Sequence, residues 1–240
     1  MARRKPYRNK AGEVVPATTT ITSRFGESGG LIYWANQVGL GEHESCNDQE
    51  RCAQCGRREG KNHRDVSGAA ADTGTFAHDL IEEYVKGAKV DLDLYEHLTD
   101  EQRENADNCL DSFKRWFDGF GVEILETELP LVSEVHQFGG RIDSVGRLKG
   151  GQLIIPDWKT SNGIYGDQLA QLAAYGLLLD EYADDLFGPV DEYHIVRISK
   201  DVASFEHRSW TRQTFQPAID YFLTARRLFG QDKALKKLLK

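Results

Sequence analysis

Ile154-Ile155-Pro156-Asp157-Trp158-Lys159-Thr160 is the stretch from which the fold is read. Its apolar opening has the composition of a buried strand, and side chains two apart on a strand face the same way. Asp157 and Lys159 are therefore expected on one face, with Trp158 on the other. A carboxylate beside an ammonium at the end of an apolar strand is a chemical pair, although so short a pattern also fits a surface ion pair. Asp143 sharpens the reading. It closes Gly139-Gly140-Arg141-Ile142-Asp143, fourteen positions before Asp157. That spacing suits two neighbouring strands joined by a turn at Lys149–Gly151, which would bring the two carboxylates together. Carboxylates that share one spot repel unless a cation bridges them, and magnesium or manganese favours such oxygen ligands. Taken alone, Asp143 reads equally as a turn aspartate after two glycines.

Working outward, residues 125–133, 137–148 and 152–160 read as three strands separated by turn signals at His136–Gly140 and Lys149–Gly151. A helix is expected over about Asp167–Tyr182, strands over 191–199 and 203–210, and a last helix over 214–229. Upstream, the apolar spacing predicts a short helix from about Arg24 to Val38 and a helix over 75–86, with Gly74 just before it. A longer helix is expected over about 100–120, opened by a Thr99/Gln102 capping box. Residues 1–17 read as a loose basic lead. Helices, a strand meander, a helix and further strands indicate an α/β fold on a mixed central sheet flanked by helices. The chain reads as a single domain over 1–240, with a Cys-rich insertion at about 41–68.

Two helical patterns add polar candidates. Gln168, Gln171 and Tyr175 fall on one stripe directly after the Asp157 strand, where they would overlook it; such a stripe is more commonly a solvated face. His78 follows Gly74 by four residues, with Glu82 a further turn on along the same helical face. A lone helical histidine is more often a core or capping residue than a ligand.

Hydrophobic residues make up 40% of the chain and charged residues 28%, which is ordinary for a soluble globular protein. No apolar run reaches the length of a membrane span, and the basic start lacks the apolar stretch of a secretory signal. The net charge of −8 argues against a sequence-independent nucleic-acid coat, whose affinity comes from neutralising phosphates. It does not exclude an enzyme with clustered metal-binding carboxylates. Basic residues crowd both ends, with Arg3, Arg4, Lys5, Arg8 and Lys10 at the first. Three of the four cysteines, Cys46, Cys52 and Cys55, lie within ten residues. Without a secretory signal that clustering suggests metal more than disulfides. Cys52-x-x-Cys55 with Cys46 and either His63 or His43 would fill a tetrahedral structural zinc site; three unligated thiols are the plainer alternative. Cys109 sits on an apolar helical stripe and reads as core.

Gly74-x-x-x-His78, Glu128, Gly140-Arg141-Ile142-Asp143, Asp157-Trp158-Lys159 and Gln171-x-x-x-Tyr175, in that order, resemble the RecB-type branch of the PD-(D/E)XK nucleases. That branch includes phage exonucleases and CRISPR-associated RecB-like exonucleases. The resemblance covers roughly residues 74–180 and implies a restriction-endonuclease-like core. It also implies roles: His78, Asp143, Asp157 and the Trp158 carbonyl on Mg2+ or Mn2+, Lys159 on the attacking water, and Gln171 and Tyr175 orienting the substrate or the lysine. Glu128 is a further contributor, and Glu82 shares the helical face of His78. The activity implied is metal-dependent hydrolysis of DNA, by an exonuclease of recombination, repair or phage replication in the cytoplasm of a bacterial or phage-infected cell. An endonuclease of the same fold, or a binding module that has kept the fold without catalysis, are the alternatives. One departure is clear: the iron–sulfur members carry three cysteines after the glutamine–tyrosine motif, and here none follows Cys109.

Overall fold

The computed structural model describes residues 5–25 and 63–239. In chain order the elements are α1 (Thr18–Phe25), α2 (His63–Lys86), a 3-10 turn (Leu92–Tyr95), α3 (Asp100–Phe120), β1 (Glu123–Ser133), β2 (Phe138–Arg147), β3 (Leu153–Lys159), α4 (Gly166–Glu181), β4 (Glu192–Ile198), β5 (Phe205–Thr211) and α5 (Arg212–Lys237). The strands form one five-stranded sheet in the order β1-β2-β3-β4-β5. Only β3 and β4 pair in parallel. Parallel neighbours need a crossover, and α4 supplies it, which fixes that helix against the sheet directly after the Asp157 strand.

β3 is the central strand, and its apolar residues divide between two cores, as expected for a strand covered on both faces. Leu153 and Ile155 enter one core with Leu172, Leu178 and Phe222 of α4 and α5. Ile154 and Trp158 enter the other with Ile81 of α2 and Phe113 and Trp116 of α3. The Trp158 ring meets Phe113 edge-on, with centroids 5.1 Å apart. Asp157 and Lys159 thus share the α4 face and Trp158 the opposite one, as the alternation predicts. β5, at one edge, carries Glu206, Arg208 and Ser209 on exposed or half-exposed positions, a charge pattern that discourages further strand pairing.

Helix α3 begins as its sequence predicts. Thr99 Oγ1 accepts from the Gln102 amide while Gln102 Oε1 accepts from the Thr99 amide. Cys109 is buried in the core. Among the described residues, no helix is long and apolar enough to cross a membrane.

Three expectations need correction. Residues 5–17 are not a loose lead: Arg8 bridges Val14 in a hairpin, Ala17 bridges Gly139 alongside β2, and the Asn9 amide group donates to Gln137 Oε1 at 2.7 Å. Polar side-chain and backbone bonds order this segment, so its lack of an apolar pattern misleads. The first helix spans Thr18–Phe25; the rest of the expected Arg24–Val38 helix lies outside the described residues. Helix α2 starts twelve residues before the expected 75, at His63. Thr73 and Thr75 return their hydroxyls to the carbonyls of Ala69 and Ala71, which accommodates polar residues inside a helix. Gly74 therefore lies within the helix rather than ahead of it.

Candidate active site

The centre of the site follows from β3. Pro156 has no N–H to give to a neighbouring strand, and the β2–β3 ladder runs only through Gly146↔Ile154 and Arg147↔Leu153. Beyond it, the Ser144 hydroxyl donates to the Pro156 carbonyl at 2.7 Å. The same register carried onward sets Asp143 opposite Asp157, and the two carboxyl groups do interact. Asp157 is fully buried. The Lys159 ammonium stands 2.8 Å from its Oδ2, yet neither Asp157 oxygen receives a well-angled hydrogen bond. Lys159 also donates to Gln171 Oε1 at 3.2 Å, and Gln171 Nε2 donates to the Tyr175 hydroxyl at 2.6 Å. A four-residue spacing on α4 makes that relay possible, because residues i and i+4 stand above one another. Gln171 and Tyr175 of the polar stripe are thus turned onto the site, not to solvent, whereas Gln168 is buried at the helix start, accepting from the Tyr165 amide and donating to Ser161 Oγ.

Other elements wall a cavity of about 1140 Å³ above this centre. Helix α2 brings His78, Asp79 and Glu82 to it. Gly74 permits the approach: a Cβ there would lie 2.9 Å from Thr160 Oγ1, just past the end of β3. Asp79 accepts from the Tyr95 hydroxyl, and Glu82 pairs with Lys86 along the helix. From β1 comes Glu128, whose φ of 53° is in the left-handed region that non-glycine residues rarely adopt. Its position between the pairs Thr127↔Ser144 and Leu129↔Ile142 aligns it with Asp143. Glu128 holds Arg141 in a 2.8 Å ion pair.

Sequence reasoning missed the last wall, which comes from residues 5–20. Lys5, Tyr7, Arg8 and Thr18 all line the cavity. The available signal was the Gly139-Gly140 pair. A Cβ on Gly139 would lie 2.3 Å from the Tyr7 ring, and one on Gly140 would lie 2.7 Å from Thr18 Oγ1. Two bare backbone positions let two upstream residues descend onto β2.

The electrostatics follow from burial and crowding. Burial raises the Asp157 carboxyl to about 7; Asp143 adds to the rise and Lys159 opposes it. Burial would lower Lys159, but Asp157 and Asp143 outweigh it and its ammonium is held above the usual range. Burial, assisted by Lys159, lowers His78 to about 4 against the pull of Asp157, Asp79 and Glu82, so its imidazole is neutral. Burial and the two aspartates raise the Tyr175 phenol well above its ordinary value, with the Gln171 hydrogen bond opposing, which keeps it protonated.

Among the described residues no three His, Cys, Asp or Glu side chains converge closely enough to form an ion cage by themselves. The donor chemistry nevertheless fits a divalent cation. Asp157 keeps two buried oxygens without a proper donor, next to a second carboxylate, and an unsatisfied buried carboxylate is costly unless charge or hydrogen bonds compensate it. His78 lines the same cavity with a neutral nitrogen. Cys46, Cys52, Cys55 and His43 lie outside the described residues, as does the His63 side chain, although His63 opens α2.

The sequence profile of the PD-(D/E)XK nuclease superfamily matches residues 51–219, more than half of the chain. The protein belongs to that superfamily, and its five-stranded mixed sheet flanked by helices is the superfamily's fold. No curated protein matches the sequence. Among solved structures, a proposed exonuclease from Eubacterium rectale aligns at 13% identity over 70% of this chain and 67% of its own, with a TM-score of 0.45. The alkaline exonuclease LHK-Exo of Laribacter hongkongensis aligns at 13% identity over 70% of this chain and 91% of its own, with a TM-score of 0.32. The same exonuclease in complex with dAMP gives 12% identity, 71% and 90% coverage and a TM-score of 0.39. The family assignment stands on the sequence match.

Proposed function

We propose that the protein is a divalent-metal-dependent deoxyribonuclease of the RecB-type branch, acting as an exonuclease on DNA ends or single strands. The observation that carries this reading is Asp157: a fully buried carboxylate, without a well-angled donor, held beside Lys159 and Asp143, which themselves line the open cavity. His78, Asp143, Asp157 and the Trp158 carbonyl would hold Mg2+ or Mn2+. When bound, such an ion lowers the pKa of water and neutralises phosphate oxygens. Lys159 orients the attacking water and offsets charge on the phosphate. Gln171 fixes the Lys159 ammonium through their 3.2 Å hydrogen bond, and Tyr175 fixes Gln171. Glu128 holds Arg141 at the rim. The reading extends to a role in recombination, repair or phage replication.

The deciding experiment offers end-labelled linear and circular DNA, single- and double-stranded, with magnesium or manganese. Metal-dependent release of mononucleotides or short products from linear DNA, with circles spared, is the expected result. Cutting of circles would make the enzyme an endonuclease. No cleavage of any DNA under either metal, with binding retained, would favour a non-catalytic module.

A further inference from the structure

The hairpin of residues 5–17 lines the cavity, lies outside the residues that match the superfamily, and has no role in the reading above. Its construction is that of a fixed wall. Val15 donates to the Tyr7 carbonyl, Lys10 to Glu134, Gly139 to the Pro16 carbonyl, and Asn9 to Gln137. The Tyr7 ring rests on the bare backbone of Gly139, half-buried and facing the cavity that also holds Lys159 and Tyr175.

The charges of that cavity point the same way. Its acidic groups are Asp79, Glu82, Glu128 and Asp143, and its Lys and Arg residues are Lys5, Arg8, Arg141 and Lys159. Lys159 is engaged with Asp157 and Arg141 with Glu128. Lys5 and Arg8 are exposed, and neither forms an ion pair with a carboxylate among the described residues; Arg8 reaches only the Gly12 carbonyl. A nucleic-acid strand is a polyanion that binds by exchanging counterions for protein cations. A chain of net charge −8 has to supply such cations locally, and here the hairpin does.

We propose that the hairpin is the strand-holding wall of the nuclease site: Lys5 and Arg8 take phosphates of a single-stranded nucleic acid, and the Tyr7 ring stacks on a base of the strand entering the cavity. A phenol ring fits this use because every base has a π face, so stacking grips a strand without reading its sequence. The cations are sequence-blind in the same way. Tyr7, Lys5 and Arg8 are binding residues, separate from the group that acts on the scissile phosphate, and the assignment rests on the nuclease reading above.

The test uses the full chain and a fluorescein-labelled single-stranded oligonucleotide, with cleavage followed in magnesium or manganese and binding followed by anisotropy in chelator. The double variant Lys5→Ala/Arg8→Ala alters exposed side chains and should keep the wild-type melting temperature. Its KM should rise at least about tenfold with kcat nearly unchanged. The dependence of log affinity on log salt should flatten by about 1.4, since each single-strand phosphate contact contributes about 0.7. Tyr7→Ala should raise KM roughly 5- to 100-fold, and Tyr7→Phe, which keeps the ring, should restore it. Unchanged KM and salt slope in Lys5→Ala/Arg8→Ala would overturn the proposal, as would a loss confined to kcat, or a Tyr7→Phe variant as impaired as Tyr7→Ala. If the wild type cuts DNA and these variants behave like it, only the strand-holding wall fails. If the wild type neither cuts nor binds any nucleic acid, the nuclease reading fails first and takes this assignment with it.

Discussion

Two buried groups of titratable side chains lie on opposite faces of the same sheet, and they are built on opposite principles. On the α4 face, Asp157 is crowded by Asp143 and Lys159, keeps two oxygens without a well-angled donor, and lies behind those two neighbours, which line a large cavity. On the other face, His207 Nε2 lies 3.0 Å from His194 Nδ1, and His194 Nε2 lies 3.1 Å from Glu192 Oε2. This chain is satisfied if both imidazoles are neutral with the proton on Nε2. Phe120 meets the His207 ring edge-on at 4.4 Å, and Trp116 packs nearby. Burying polar groups is tolerable when each finds a partner and costly when one does not. The histidine chain obeys that rule as structure does. The aspartate meets it only through the poorly angled Lys159 ammonium, beside a second carboxylate, and titratable groups so perturbed collect where chemistry is done.

The largest expected effect separates the two groups by activity. Asp157→Asn, Asp143→Asn and Lys159→Ala should each reduce DNA cleavage by about a thousandfold or more, the scale seen when an electrostatic group of an active site is removed. His207→Gln, which keeps a neutral donor, should stay within about threefold of wild type. Circular dichroism should show all four folded. Full activity in Lys159→Ala would end the assignment of the site, and an equally dead His207→Gln would end the contrast.

His78 comes next. Its nitrogen sits awkwardly among oxygen donors for magnesium and comfortably for manganese. His78→Ala should raise the metal concentration giving half-maximal cleavage by about 10- to 100-fold, the range found when a metal site's supporting residue is lost. DNA affinity in chelator should be unchanged. An unaltered metal titration would leave His78 with a packing role only. Manganese should support at least as much activity as magnesium in the wild type.

A smaller effect is expected one step further from the phosphate. Gln171→Ala removes the 3.2 Å hydrogen bond that holds the Lys159 ammonium and the 2.6 Å bond to Tyr175, yet leaves the Asp157 ion pair. Cleavage should fall by about tenfold, a value in line with one hydrogen bond to a charged group, and it should fall in kcat with KM retained. A loss seen in KM alone would mean that Gln171 binds substrate directly.

How much of this was legible in the sequence depends on the range of the physics involved. The alternation Asp157-Trp158-Lys159 is local, so the two-faced placement follows from strand geometry alone. The Asp143–Asp157 meeting needed one turn, at Lys149–Gly151, and the hairpin register delivered it. The α4 stripe was legible in position but ambiguous in exposure, because periodicity does not say which side a crossover helix presents. What stayed hidden is non-local. The Tyr7 wall depends on contacts across more than a hundred residues, signalled only by two adjacent glycines that read as a turn. The left-handed backbone of Glu128 has no sequence mark, since glutamate is an unusual residue to adopt it. The histidine chain pairs His194 with His207 diagonally across β4 and β5, and neither residue belongs to a motif. The cysteine cluster was readable only as spacing.

The finest contrast lies in how each group couples stability to pH, measured in chelator so that no metal binding intrudes. In the unfolded chain His207 titrates near 6.5; in the fold burial and His194 lower it to about 4. Between those values the unfolded state holds a proton that the folded state refuses, so this group's contribution to stability rises with pH and is lost as pH falls. Asp157 runs the other way. Its unfolded value is 3.8 and its folded value about 7, so the folded state holds the extra proton, and stability from this group falls as pH rises through that window. His78, lowered to about 4, acts in the same sense as His207 and is left in place by both substitutions; Asp157→Asn removes one of the carboxylates that pull it upward, which strengthens that sense in the Asp157→Asn protein. The melting temperature of His207→Gln relative to wild type should therefore decrease from pH 4 to pH 6.5. That of Asp157→Asn relative to wild type should increase from pH 4 to pH 7. Each change should amount to a few degrees, since about 1 kcal/mol shifts a chain of this size by roughly 2–4 °C. Opposite slopes would mean that both groups are buried neutral, the imidazole by refusing its proton and the carboxyl by keeping it; parallel slopes, or a flat Asp157→Asn difference, would show that Asp157 is ionised in the metal-free protein and that Lys159 satisfies it.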